Sequence, residues 1–237
     1  MTVRTLVAIV GLLAFAALFV YLGFWQLQRA ATNREVVASF AAGAAAALLP
    51  ELPAALGAAE RFRRLDVRGA YAEGPQFLLD NMLHDGVAGY QVLTPLHVAG
   101  SPQWLLVNRG WLAASGDRAV LPQVPVGTEE RHVTGRLERL PRPDLRLGAP
   151  PSNEMVTDVT VVQYPTATEL AAALGAELFD YQLLLDPAEP DGFVRDWRAP
   201  GVGAERNLSY AGQWLLLAVG AAAAAVTILI KTLRRRP

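Results

Sequence analysis

The sequence predicts a membrane protein in which two transmembrane α-helices flank a β-rich extracytoplasmic domain, an antiparallel sheet closing toward a small barrel with one short helix. Three observations carry this. Thr5 to Gln28 and Leu208 to Ile230 are both free of charged residues. The chain between them breaks into short alternating segments separated by turn residues. Of 237 residues, 52% are hydrophobic and only 18% charged, which is apolar for a soluble protein.

The first transmembrane helix is placed at 5–28, roughly 24 residues where about 20 cross the hydrocarbon core. Tyr21, Phe24 and Trp25 stand where a signal peptide would carry small residues for cleavage, so the segment reads as an uncleaved anchor. Residues 29–60 read as a helical connector, in which alanine favours short helices and Pro50 and Pro53 break them.

The β-rich domain is placed at 61–186. In "RFRRLDVRGAYA", Leu65 and Val67 alternate with Arg64, Asp66 and Arg68, the pattern of a half-buried strand with a solvated face. "PQFLLDNM" is a second strand, and Asp85-Gly86 turns the chain into the third, "YQVLTPLHV". "PQWLLVNRGWL" is the fourth, with Asn108 and Gly110 suiting a turn, and "RHVTGRLER" the fifth. A Pro- and Arg-rich loop over 140–153 precedes a sixth strand over 154–164. Thr166 and Glu169 form a capping box for a short helix that Gly175 ends, and "LFDYQLLLD" is the last strand.

Residues 187–207 return the chain to the membrane, 208–230 form the second transmembrane helix, and 231–237 a basic tail. Lys231, Arg234, Arg235 and Arg236 hold that tail in the cytoplasm against the weaker opposition of Arg29 and Arg34. Both termini are then cytoplasmic and residues 31–207 lie outside.

Composition excludes several chemistries. There is no cysteine, hence no disulfide, thiolate metal site or cysteine nucleophile. A net charge of −1 argues against nucleic acid as a partner. The three histidines, His84, His97 and His132, have ordinary strand or turn settings, and no catalytic constellation accompanies them, so the chain does not read as an enzyme. Arg61, Arg63, Arg64 and Arg68 cluster, as do Arg136, Arg139, Arg142 and Arg146. They fit either a solvated face or a basic surface for an acidic partner.

Two groups of residues remain as candidates. Asn108, Arg109 and Trp111 form either a core strand with a tight turn or a recognition corner that presents Arg109 and Trp111 to a partner. Tyr21 and Trp25 share a helix face at i, i+4, extended by Arg29 within cation–π reach of Trp25; Tyr210 and Trp214 repeat the spacing, and Gln26 and Gln213 accompany the two pairs. In antiparallel spans both pairs fall at one membrane surface. They form either an interfacial aromatic belt or a platform between the helices for a large, flat amphipathic ligand.

Several strings occur in one order: "LGFWQLQRA", "RRLDVRGAY", "LLDNM", "GYQVLTPL", "LLVNRGW" and "LSYAGQW". Together they resemble the surfeit locus protein 1 family, whose first span ends in LGxWQLxR and whose second opens on HLxYAxxW. The resemblance implies a bacterial inner-membrane protein that assists cytochrome c oxidase assembly, delivering haem a or steadying the haem-receptive subunit at the outer face of the membrane. It implies a transient haem a as cofactor. Implied partners are oxidase subunits, above all the haem-bearing catalytic subunit, and the haem-a-synthesising machinery. The alternatives are a scaffold that never binds haem and a membrane-anchored enzyme. In parts of the family a histidine beside LxYA is implicated in haem binding; here Asn207 takes that place, and an amide is a poor iron ligand.

Overall fold

The computed structural model describes residues 2–141, 159–201 and 203–234. The chain divides into two compact units. One holds the residues up to Ala38 together with those from Ala199 onward; the other is Ser39–Arg198.

The first unit is a pair of helices, α1 (Val3–Ala45, whose last turns belong to the second unit) and α3 (Ala204–Arg234). Both are long and apolar enough to cross a membrane. The least exposed positions of α1 include Ile9, Ala16, Phe19, Gly23, Gln26 and Ala30; those of α3 include Asn207, Ala211, Trp214, Ala218 and Ala225. Both sets step by three and four residues, the spacing of a coiled-coil seam. Small residues let the backbones approach. A Cβ on Gly23 would come within 3.0 Å of the Leu215 side chain, so only glycine fits there without displacement. The rings of Phe19 and Trp214 stack at 5.7 Å. The Asn33 amide lies beside Gly201, Gly23 beside Ala211, and Phe19 against Trp214, so the helices run antiparallel.

The second unit is a seven-stranded sheet in the order β1-β5-β7-β4-β3-β2-β6. Its strands are β1 (Arg64–Tyr71), β2 (Gln76–His84), β3 (Val87–Val98), β4 (Trp104–Ala113), β5 (Arg131–Arg139), β6 (Val159–Val162) and β7 (Leu178–Leu185). β3 is long enough to pair β2 along its first half and β1 along its end, through Tyr71↔Leu96 to Gly69↔Val98. That second pairing closes β1, β5, β7, β4 and β3 into a ring. The alternating inner residues of the ring, among them Leu65, Val67, Leu96, Leu105, Val107, Leu137 and Leu183, form its apolar core. A second cluster of Phe77, Leu79, Leu93, Leu106 and Val162 lies beneath Leu170 of α2 (Ala167–Leu174). Thr166 and Glu169 make the capping box and Gly175 ends the helix in the left-handed region, as the sequence predicts.

Three expectations are corrected. The sheet is mixed rather than antiparallel, because β2 pairs β6 and β4 pairs β7 in parallel. The connector is not a run of short helices, since α1 continues unbroken to Ala45 and helix is absent only from Ala46 onward, ahead of Pro50 and Pro53. Beyond the span that helix is held by Phe40, which packs edge-on to Phe62 and under the Arg136 guanidinium at 4.1 Å. Finally, no turn interrupts β4 at Asn108–Gly110. Residues 142–153 of the expected loop, 154–158 of the expected sixth strand, Arg142, Arg146, and Arg235 and Arg236 of the tail lie outside the described residues.

Candidate functional site

The string Asn108–Trp111 sits in β4, between β7 and β3 of the ring. Apolar neighbours carry β4 into the interior on both faces, and the polar residues that follow go in with it. Arg109 is only 2% exposed, which rules it out as a charge presented to a partner. Its guanidinium is spent on internal acceptors. Nε donates to the Asp191 carbonyl at 2.7 Å, Nη1 to the Val124 carbonyl at 2.9 Å and to Gln76 Oε1 at 3.2 Å, and Nη2 to the Pro125 carbonyl at 2.8 Å. Phe193 lies against it at 5.1 Å. Among the described residues no carboxylate touches it, and burial lowers its pKa, with the Arg131 charge adding to that effect and Tyr71 and Asp191 opposing it. Burial also pushes the neighbouring Tyr71 phenol up to about 12 against the pull of Arg109 and Arg131.

Asn108 is buried as well. Its Nδ2 donates to Gln91 Oε1 at 2.9 Å and to Gln182 Oε1 at 3.0 Å, and its Oδ1 accepts from the Gly110 amide. Trp111 is half-buried, its indole N–H donating to the Met82 carbonyl and its ring lying 5.1 Å from His84. Its backbone pairs with Val194 in both directions. Gly110 has φ +112, and a Cβ there would meet the Val194 carbonyl at 2.6 Å. The recognition corner is therefore corrected. Asn108, Arg109 and Trp111 form the seat on which the return segment around 191–195 is clamped, and burial removes Asn108 and Arg109 from any partner surface.

The helix pair differs. Tyr21 is 67% exposed, Trp25 47% and Tyr210 47%. They point off the seam, so the platform does not lie between the helices. Counted from the seam, Trp25 and Arg29 fall on one flank of α1, with Tyr21 on the back beside them, and Tyr210 and Gln213 fall on the corresponding flank of α3. In an antiparallel pair corresponding flanks share a side, so these residues line one outward face of the pair. Arg29 makes no cation–π contact with Trp25 among the described residues, against the sequence expectation. Trp214 turns into the seam instead and stacks on Phe19. Gln26 and Asn207 also turn in. Gln26 Oε1 and Asn207 Nδ2 are buried and have no hydrogen-bond partner among the described residues.

The histidines behave as structural groups. His97 packs edge-on to Trp104, His132 hydrogen-bonds Asp66 at 2.8 Å, and His84 lies beside Asp85. Among the described residues no group of three His, Asp or Glu side chains could hold a metal ion. Arg64 pairs with Asp186 and Arg68 with Glu130, as expected of a solvated strand face.

Residues 13–219 match the family model described as SURF1 family, a stretch that includes both candidate groups and well over half of the chain. The chain belongs to the SURF1 family. This is a family of cytochrome c oxidase assembly factors and not a typical enzyme family. The SURF1 assignment and the two apolar helices together make the chain a membrane protein. A search of curated proteins finds no match.

Sequence reading missed the surroundings of Arg109, namely Gln76, the Asp191 carbonyl and Thr94, whose Oγ1 accepts from Arg109 Nη1 at 3.5 Å, because pairing across distant segments leaves no local pattern. It also missed the helix seam. There a signal was present: Ala211, Ala218 and Ala225 recur every seven residues, as do Ala16, Gly23 and Ala30.

Proposed function

We propose that this SURF1 protein receives haem a in transit on the outward face of its helix pair, at the outer surface of the membrane, and hands it to the haem-bearing subunit of cytochrome c oxidase. The observation that carries this reading is the alignment of Tyr21, Trp25, Tyr210 and Gln213 on one exposed side of the pair. A flat apolar macrocycle with polar edges fits such a surface by stacking and hydrogen bonding. Its iron does not fit: Asn207 supplies no imidazole, and all three histidines lie outside the helices. The chain would thus hold the ring and leave the iron to another ligand. On this reading both termini are cytoplasmic, Lys231 and Arg234 resisting translocation, and Ser39–Arg198 is extracytoplasmic.

The test is the absorption spectrum of full-length protein purified from cells that make haem a. Retained haem should be lost in Trp25→Ala and Tyr210→Ala. A wild-type protein without haem, in cells whose oxidase still loses haem a when the protein is deleted, would replace this reading with a second one. That second reading is a scaffold that steadies the haem-receptive subunit, and the missing imidazole favours it.

A further inference from the structure

The geometry points to an anion seat formed by Arg29 and Arg206, which binds the ionised carboxylate or phosphate of an amphiphile whose apolar body lies on Trp25 and Tyr210. Arg206 has no place in the reading above. Its position follows from the packing of the pair. Phe19 against Trp214, Gly23 beside Ala211 and Asn33 beside Gly201 fix how far along α3 each level of α1 falls. By that register Arg29 and Arg206 stand at one level, one helical turn beyond Trp25 and Tyr210, which also share a level.

The seam fixes their direction. Arg29 follows Gln26 by three residues, and Arg206 precedes Tyr210 by four, so both arginines extend the same outward side as the aromatics. Glu205 falls on the opposite flank and Glu35 on the back of α1, so neither carboxylate faces the seat. Both arginines are exposed, and among the described residues neither side chain has a hydrogen bond or an ion pair. This sets them apart from Arg61, Arg64, Arg68, Arg118, Arg131 and Arg198, which are all paired. Two like charges held at one level repel each other, and a bound oxyanion relieves that repulsion while accepting from both forks. The N-terminus of α3, two residues before Arg206, adds a field of the same sign.

The shared chemistry is an oxyanion on an apolar body, and two sources offer it: a porphyrin with ionised carboxylates, which rests on the haem reading above, and an anionic phospholipid, which does not. Full-length protein in phosphatidylcholine nanodiscs is titrated with haemin and with haemin dimethyl ester, which lacks the charges, and binding is followed by absorbance. The wild type should prefer haemin; Arg29→Gln and Arg206→Gln should each weaken haemin roughly fivefold and leave the ester unchanged. An equal preference in wild type and double variant overturns the seat even where the ring still binds. If the wild type binds neither porphyrin, the haem reading fails. Native mass spectrometry then decides the seat, by comparing phosphatidylglycerol carried through purification. More lipid on the wild type than on the double variant assigns the seat to a lipid phosphate, and equal amounts overturn it. Helix content by circular dichroism guards against misfolding in either arm.

Discussion

Two places in this molecule bury polar side chains, and they treat them in opposite ways. In the strand ring, Arg109 and Asn108 meet carbonyls and amides from four distant segments, and their donors are taken up. In the helix pair, Gln26 Oε1 and Asn207 Nδ2 are buried in the seam and have no partner among the described residues. A satisfied buried cation specifies a fold, because every acceptor it holds is lost with it. An unsatisfied buried amide in an apolar seam is costly unless something completes it. The most distinctive polar string of the sequence is therefore structural, and the proposed ligand face is on the helices.

The largest expected effect breaks the comparison on the satisfied side. Arg109→Met leaves the carbonyls of Val124, Pro125 and Asp191 without their donor. Each stranded buried acceptor costs about 1–3 kcal/mol, so the β-rich unit should lose several kcal/mol of stability. Thermal melting of full-length protein in detergent would show it, together with a fall in cellular protein level that matches the fall in oxidase activity. A variant that melts normally yet fails in oxidase assembly would return Arg109 to a recognition role.

Gly110→Ala tests the same seat through the backbone. The new Cβ would press on the Val194 carbonyl from a conformation that L residues disfavour, at a cost of roughly 3 kcal/mol. The return segment should come loose, and limited proteolysis should cut within 187–198 in the variant before it cuts the wild type. Tyr71 gives a pH signature. Its phenol is held up at about 12, mainly by burial, against an ordinary value of 10.0. A raised folded pKa stabilises fully below the unfolded value, so the contribution is present below pH 10 and is lost as pH rises toward 12. That window is worth roughly 2 kcal/mol. Between those pH values Tyr71→Phe should lose less stability than the wild type in denaturant titrations.

Much of this was legible in the sequence, for identifiable reasons. β1 and β5 read correctly because one face of each is wet, so Arg64, Asp66 and Arg68 mark the alternation. The cap at Thr166 and the stop at Gly175 are local chemistry and read residue by residue. The parallel pairings did not read, since β6 and β7 find partners through connections that leave no trace in their own composition. Asn108 and Gly110 looked like a turn because turn propensity is blind to burial; Gly110 spends its freedom on a close approach to Val194 inside a strand. On the helices, the i, i+4 aromatic spacing misled, since Trp214 turns into the small-residue seam and stacks on Phe19 while Tyr210 points off it.

The smallest effect sharpens the other half of the comparison. Gln26 Oε1 is an acceptor and Asn207 Nδ2 a donor, and the register of the helix pair puts them at one level of the seam. In a bilayer neither finds water. Small rotations of the two amides that join them are then favourable, by about 0.6–1.7 kcal/mol, the range measured for hydrogen bonds between transmembrane helices. Full-length protein unfolded by titration with SDS should therefore lose stability in Gln26→Ala and in Asn207→Ala, and the double variant should lose no more than one of them, because the second substitution removes a bond already gone. Additive losses would mean that each amide has its own partner. Unchanged stability in both single variants, with haem or lipid retention lowered, would mean that the two atoms are kept open for the molecule that docks on the flank above them, and the clasp would give way to a ligand contact.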